Sequence, residues 1–194
     1  MTQRPLILAS TSPYRRELLQ RLGLAFDTDA PGVDEAPLTR EPPEATALRL
    51  ARLKAAAVAA RHPAALVIGS DQVAVLDGTA LGKPLTHAAA VRQLQLASGK
   101  SMLFHTAVCV HDAASGDAAA EIVTVRVRFR RLSADQIERY LEREKPYDCA
   151  GSAKVEGLGI SLLESVDSDD PTALIGLPLI RLVTLLARAG VGVP

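Results

Sequence analysis

Leu6-Ile7-Leu8-Ala9-Ser10-Thr11-Ser12-Pro13-Tyr14-Arg15-Arg16-Glu17-Leu18-Leu19 is the stretch that decides the fold class. Its four leading apolar residues form a continuous run bounded by hydroxyl side chains, the pattern of a short strand covered on both faces. Ser10-Thr11-Ser12 reads as a turn, with Ser12 at the N-cap of a helix whose first position is Pro13. Leu18, Leu19 and Leu22 supply the inward face of that helix, and Gly23 ends it. A buried strand that turns directly into a helix opens an α/β layer.

The same reading extends along the chain. A second helix follows Pro42-Pro43, with Ala47, Leu48, Ala51, Ala55 and Val58 at helical spacing and Arg49, Arg52 and Lys54 on its polar side. The intervening segment, Asp27 to Glu41, is an acidic loop. Leu66-Val67-Ile68 predicts a central strand that ends at Gly69-Ser70 and delivers Asp71 at its carboxyl end. A separate strand, Val73 to Leu76, meets a hairpin turn at Asp77-Gly78. Thr86 starts a helix that closes near Ser98-Gly99. Two long strands follow, Met102 to His111 and Ile122 to Arg131. In the second, Val123, Val125, Val127 and Phe129 alternate with Thr124, Arg126, Arg128 and Arg130, one face core and the other wet. Ser133 and Gln136 form a capping box ahead of a helix that stops before Pro146. Cys149 to Ile160 is Gly-rich, Asp167 to Pro171 is a polar turn, and Pro178 opens a last helix, apolar enough to be buried on two sides. No repeat or linker divides the chain, so residues 1–194 read as a single mixed α/β domain with two lobes.

The bulk numbers narrow the function. At 194 residues the chain is one domain, long enough to bury roughly 70% of its unfolded surface. Its 22 basic and 22 acidic side chains cancel, which disfavours nucleic acid or an acidic membrane as partner. The route from Met1 to Leu6 lacks the parts of a signal peptide, and no run of about 18 apolar residues offers a membrane helix. Cys109 and Cys149 have no CxxC spacing and read as free thiols in a reducing cytosol. Of the basic residues 17 are Arg; the five Lys are Lys54, Lys83, Lys100, Lys145 and Lys154.

Four constellations carry chemistry. At Ser10 to Arg16 the helix amides, the positive end of the helix dipole, the hydroxyls of Ser10 and Ser12 and the guanidinium groups of Arg15 and Arg16 make an anion site, or else a capped helix with solvated arginines. Asp71, after Gly69-Ser70, suits a divalent cation or a proton acceptor, or else is a cap or turn aspartate; Asp34-Glu35 in the acidic loop supplies a further oxygen ligand or is solvated loop charge. Gly82-Lys83-Pro84 presents one ammonium without the spacing of a P-loop. In Gly151 to Gly157, Lys154 and Glu156 stand two apart, on one side if extended, or form a surface ion pair. The four histidines show no zinc spacing, and no GxSxG or Cys–His pair signals acyl transfer.

In order and spacing these segments resemble the Maf family of nucleotide pyrophosphatases over nearly the whole chain: Leu6 to Leu19, Val33-Asp34-Glu35, Arg49-Leu50-Ala51 with Lys54-Ala55, Gly69 to Val73, Gly82-Lys83-Pro84 and the segment around Lys154. Within the family, Gly69-Ser70-Asp71-Gln72-Val73, Cys149 to Ser152 and Leu174 to Leu179 are similar to the branch acting on 7-methyl-GTP, whereas the dTTP and UTP branch typically has Thr after the aspartate. The resemblance implies a Maf/ITPase-like twisted mixed sheet flanked by helices, with a cleft between two lobes. It implies a cytoplasmic enzyme that takes modified nucleotides out of the cellular pool, with a small nucleotide as partner, a homodimer as assembly, and Mg or Mn as cofactor on Glu35 and Asp71. Asp71 is then the proton acceptor; Ser10, Ser12, Arg15, Arg16, Lys54, Lys83 and Lys154 hold phosphates; Tyr14, Gln72 and Glu156 set specificity. Methylation at N7 makes guanine cationic, which an aromatic face and a carboxylate would answer. The branch often has Trp where this chain has Tyr14, a weaker π donor, which implies a looser preference for the methylated base. Two other readings stand beside this one: a pyrophosphatase for dTTP, UTP or another modified nucleotide, and a regulator that binds a nucleotide without hydrolysing it.

Overall fold

The computed structural model describes residues 4–193. Met1 to Gln3 and Pro194 lie outside the described residues, and with them the start of the chain on which the absence of a signal peptide was read. The strands are β1 (Leu6–Ala9), β2 (Asp27–Thr28), β3 (Leu66–Leu76), β4 (Thr79–Leu81), β5 (Ser101–Asp112), β6 (Ala118–Phe129) and β7 (Leu163–Asp167). They form one mixed sheet in the order β2-β1-β3-β5-β6-β7, with β4 also on β3. β1 runs parallel to β2 and β3, and every other pairing is antiparallel. The helices are α1 (Pro13–Gln20), α2 (Pro43–Ala59), α3 (His87–Ala97), α4 (Ala134–Glu144) and α5 (Leu179–Arg188). None of them is long and apolar enough to cross a membrane.

The central strand differs from its expected form. β3 runs unbroken through Gly69-Ser70-Asp71, joining the two expected strands, so Asp71 stands in mid-strand. The reason is tertiary: β5 pairs with all of β3, from Leu66 opposite Asp112 to Leu76 opposite Met102, and holds the polar middle extended. On the other edge β1 ends opposite Gly69 and β4 begins opposite Ala74. Ser70 to Val73 therefore have no strand partner on that side among the described residues, and this gap in the sheet is the mouth of a cleft.

Alternation along β3 sends odd residues toward α2 and even residues to the opposite face. On the α2 face, Ala47, Ala51, Ala55 and Val58 pack on Val67, Val73, Ala107 and Cys109. On the other face two clusters occupy opposite ends of the long strands. Leu18 and Leu19 of α1 and Leu182, Leu185 and Leu186 of α5 cover Leu66, Ile68, Val108 and Val110. Leu94 of α3 and Ile137 and Leu141 of α4 cover Met102, Phe104, Val125 and Phe129.

Lys54 departs from its expected polar side. It is 4% exposed, on the buried stripe of α2 with Ala47, Ala51 and Val58. The last helix is likewise one-sided: Leu179, Leu182, Leu185 and Leu186 are buried while Ile180 is 52% exposed, because the sheet covers a single face of α5. β7 occupies part of what reads as loop; its sequence is mostly polar because it is an edge strand. The turn and cap signals do form as expected. Ser12 accepts from the Arg15 amide, Ser133 and Gln136 close a capping box, and Asp77 and Gly78 take the paired positive φ angles of the hairpin turn.

Gly69 sets the distance between α2 and β3. A Cβ there would lie 2.2 Å from the Ala51 carbonyl oxygen and 2.8 Å from the Ala55 amide nitrogen. Gly69→Ala is expected to force helix and strand apart and to destabilise the fold by about 1–3 kcal/mol. Urea unfolding measures this; an unchanged midpoint would show that α2 is not seated by that contact.

Candidate active site

The cleft that opens at the gap in β3 has a volume of about 920 Å³, within the range of ligand pockets. At its floor the Lys54 Nζ lies 2.7 Å from Asp71 Oδ1 and 2.9 Å from Glu35 Oε2. Three elements meet at that ammonium. α2 delivers Lys54 on its packed face, and β3 delivers Asp71 on the same side as Gly69. The loop bearing Glu35 is tied down by Arg49, which donates to the Ala36 carbonyl and pairs with Glu41. Burial pushes the Asp71 carboxyl above its ordinary pKa and Glu35 adds to that, while the charges of Lys54 and Arg15 oppose it.

Arg15 reaches the same floor from α1. Its Nε donates to the Gly176 carbonyl at 2.9 Å, which leaves the two terminal nitrogens of the fork for a ligand. The helix end beneath it offers fewer free amides than expected. Ser12 N donates to Ser10 Oγ, Pro13 has no N–H, and Arg15 N donates to Ser12 Oγ. These two amides are engaged locally, and the Tyr14 amide with the hydroxyl hydrogens of Ser10 and Ser12 remains for an anion. Lys83 lines the cleft from the loop after β4. Arg16 is exposed on α1 and does not line it; neither does Lys154, whose ammonium pairs with Glu144 at 3.2 Å and sits 5.5 Å from the centre of the Tyr14 ring.

The other end of the cleft is lined by Tyr14, Gln72, Glu156, Asp148, Cys149 and Phe104. Gln72 faces away from α2. Its Nε2 lies 2.9 Å from Thr106 Oγ1, 2.9 Å from the Ala173 carbonyl and 3.1 Å from the Leu174 carbonyl. Two carbonyls can only accept, so the amide orientation follows from its partners. The nitrogen is committed, and the oxygen is the atom left for a ligand. The Tyr14 hydroxyl lies 3.1 Å and 3.3 Å from the two Asp148 carboxylate oxygens. Burial, with Cys149 and Asp148 adding to it, raises the phenol pKa, so Tyr14 is a donor there. Burial also pushes the Cys149 thiol up to about 12, which leaves it neutral and a poor nucleophile. Burial raises the Glu156 carboxyl as well, against its own backbone amide and Lys154.

Thus the structure brings Ser10, Ser12, Tyr14, Arg15, Glu35, Lys54, Asp71, Gln72, Lys83 and Glu156 to one cleft. Asp148 and Phe104 also line the cleft without having been expected there, and Gly176 lies within the segment Leu174 to Leu179 that carries the resemblance but had no role of its own. Asp148 adjoins the Cys149 segment; Phe104 carries no local signal, since its place depends on how distant elements meet.

A family model described as Maf-like protein matches residues 5–189. The chain is 59% identical to a 7-methyl-GTP pyrophosphatase of Methylobacillus flagellatus, across 97% of this chain and 98% of that protein. It is 58% identical to proteins of the same description from Cupriavidus metallidurans, across 97% and 95%, and Nitrosospira multiformis, across 96% and 94%. A solved nucleoside-triphosphatase, a dITP/XTP pyrophosphatase from Mycobacterium abscessus, overlaps 66% of this chain and 75% of its own at a TM-score of 0.41 and 17% identity, too slight a likeness to carry function.

Lys54→Met would leave Asp71 without its ammonium in a buried site. The expected cost is about 3 kcal/mol at pH 8, the low end for breaking a buried pair. Loss of Lys54 moves the folded-state pKa of Asp71 further above its unfolded value, so the neutral acid is favoured in the fold and the cost shrinks as pH falls. Chemical denaturation at pH 8 and pH 5 reads the difference; an equal cost at both would mean that Asp71 does not depend on Lys54.

Proposed function

The chain belongs to the family of Maf-like proteins, and from that premise we propose that it hydrolyses 7-methyl-GTP to 7-methyl-GMP and diphosphate. The observation that carries the base assignment is the committed nitrogen of Gln72. With only an oxygen to offer, Gln72 joins the Glu156 carboxylate as a second acceptor, which suits the N1–H and N2–H₂ donors of guanine. A pyrimidine carbonyl at the same place would face acceptors. The positive charge of the N7-methylated ring suits the carboxylates and the Tyr14 face at this end of the cleft.

The phosphate end supplies the rest. Arg15, Lys54 and Lys83, with the hydroxyls of Ser10 and Ser12, converge where a triphosphate would lie if the base occupies the Tyr14 end. Asp71 takes the proton of the water that attacks the α-phosphorus, and Arg15 and the lysines hold the charge that passes to the departing diphosphate. Its raised pKa makes Asp71 a better base than an ordinary carboxylate, and the charges of Lys54 and Arg15 favour its ionised form.

A divalent cation, Mg²⁺ or Mn²⁺, fits the donor set. No group of three His, Cys, Asp or Glu side chains gathers among the described residues, but Asp71 and Glu35 are two carboxylates drawn to one point. Mg²⁺ is commonly held by one or two carboxylates with substrate phosphates completing its shell. When bound, such an ion would offset the charge of the phosphates.

Diphosphate release from 7-methyl-GTP, GTP, dTTP and UTP with Mg²⁺ or Mn²⁺ tests the reading. 7-Methyl-GTP is expected to give the highest kcat/KM; a higher value for dTTP or UTP would overturn the base assignment, and binding of any of them without turnover would make the protein a regulator. Asp71→Asn is expected to lower kcat by about 100- to 10,000-fold with nucleotide binding retained. In the unsubstituted protein the acid limb of kcat should lie above the ordinary carboxylate range, activity falling as Asp71 takes up its proton.

A further inference from the structure

Asp148 lines the base end of the cleft and has no part in the chemistry described so far. Both of its oxygens lie within reach of the Tyr14 hydroxyl, at 3.1 Å and 3.3 Å. That bond anchors the hydroxyl end of Tyr14, so the carboxylate fixes where along the cleft the ring stands. The chain reaches this point through a short, tied segment: Pro146 is buried, the Leu85 amide donates to the Tyr147 carbonyl at 3.0 Å, and the Tyr147 hydroxyl lies 3.0 Å from His87 Nδ1. Asp148 is thus held in place by α3 and by the loop bearing Lys83.

The charges around it are unequal. Glu156 shares this end of the cleft, and the Lys154 ammonium, 5.5 Å from the centre of the Tyr14 ring, is engaged by Glu144 at 3.2 Å. Cys149, next in the chain, is a neutral thiol. Two carboxylates therefore face the base end, and the cation close by is partnered to a third. A neutral purine gains little from that surplus, whereas a ring with a fixed positive charge gains directly.

We infer that Asp148 is a specificity-determining residue that selects a cationic purine over its neutral counterpart, by its charge and by anchoring the Tyr14 hydroxyl. This rests on the base assignment proposed above. Titration calorimetry with 7-methyl-GMP and GMP reads it without turnover or metal. The unsubstituted protein is expected to bind 7-methyl-GMP more tightly than GMP. Asp148→Asn, which keeps an acceptor for Tyr14 but removes the charge, should cut that ratio about tenfold, the scale of one partly screened charge contact. Asp148→Glu should restore part of it. Raising the salt concentration should shrink the ratio in the unsubstituted protein more than in Asp148→Asn. An Asn variant whose ratio is unchanged, or in which both ligands weaken equally, would overturn the role of Asp148 while leaving the base assignment standing. No preference for the methylated ligand in the unsubstituted protein would overturn both.

Discussion

One ammonium organises the cleft. Lys54 Nζ lies between the carboxylates of Asp71 and Glu35, at 2.7 Å and 2.9 Å, and each of the three comes from a different part of the chain. Two carboxylates converging on one point repel each other unless a cation lies between them. Lys54 is that cation, and the Arg15 charge adds to the effect. Lys54 and Asp71 are buried together where the α2 backbone lies directly on Gly69, two residues before Asp71 on the same face of β3. A packing constraint and an electrostatic one thus meet within three residues.

The sheet supplies the opening in which that centre works. β5 pairs along the whole of β3, while on the opposite edge β1 stops opposite Gly69 and β4 starts opposite Ala74. Between those points alternation turns Asp71 toward α2 and Ser70 and Gln72 toward the turn at residues 173–176. Gly176 serves both sides of the arrangement, since its carbonyl receives Arg15 Nε at 2.9 Å and lies 2.9 Å from Ser70 Oγ. The proposed proton acceptor therefore lies on one face of a strand, and the proposed base recognition starts from the other.

What could be read in the sequence was what short-range physics decides. Ser12 with Pro13, Ser133 with Gln136 and Asp77-Gly78 act through partners a few residues away, and each forms as its pattern implies. The polar middle of β3 looks like a strand end because nothing local shows that β5 will hold it extended. Lys54 was placed on the wet side of α2 because a lysine on a helix is usually solvated; its partner is 17 residues on and meets it only in the folded state. The residues that line the cleft were mostly recognisable as chemistry-bearing, but their division of labour was not. That Gln72 presents an oxygen, and that Tyr14 is held by Asp148, depend on carbonyls and carboxylates brought from more than 100 residues away.

The most direct test of the catalytic account is hydrolysis of 7-methyl-GTP in ¹⁸O-labelled water under single-turnover conditions, with mass analysis of both products. Water attack at the α-phosphorus with Asp71 as proton acceptor predicts one ¹⁸O in 7-methyl-GMP and none in diphosphate. Label in the diphosphate would place the attack on the β-phosphorus, and unlabelled products from a first turnover would mean that a carboxylate of the protein, rather than water, attacks the nucleotide.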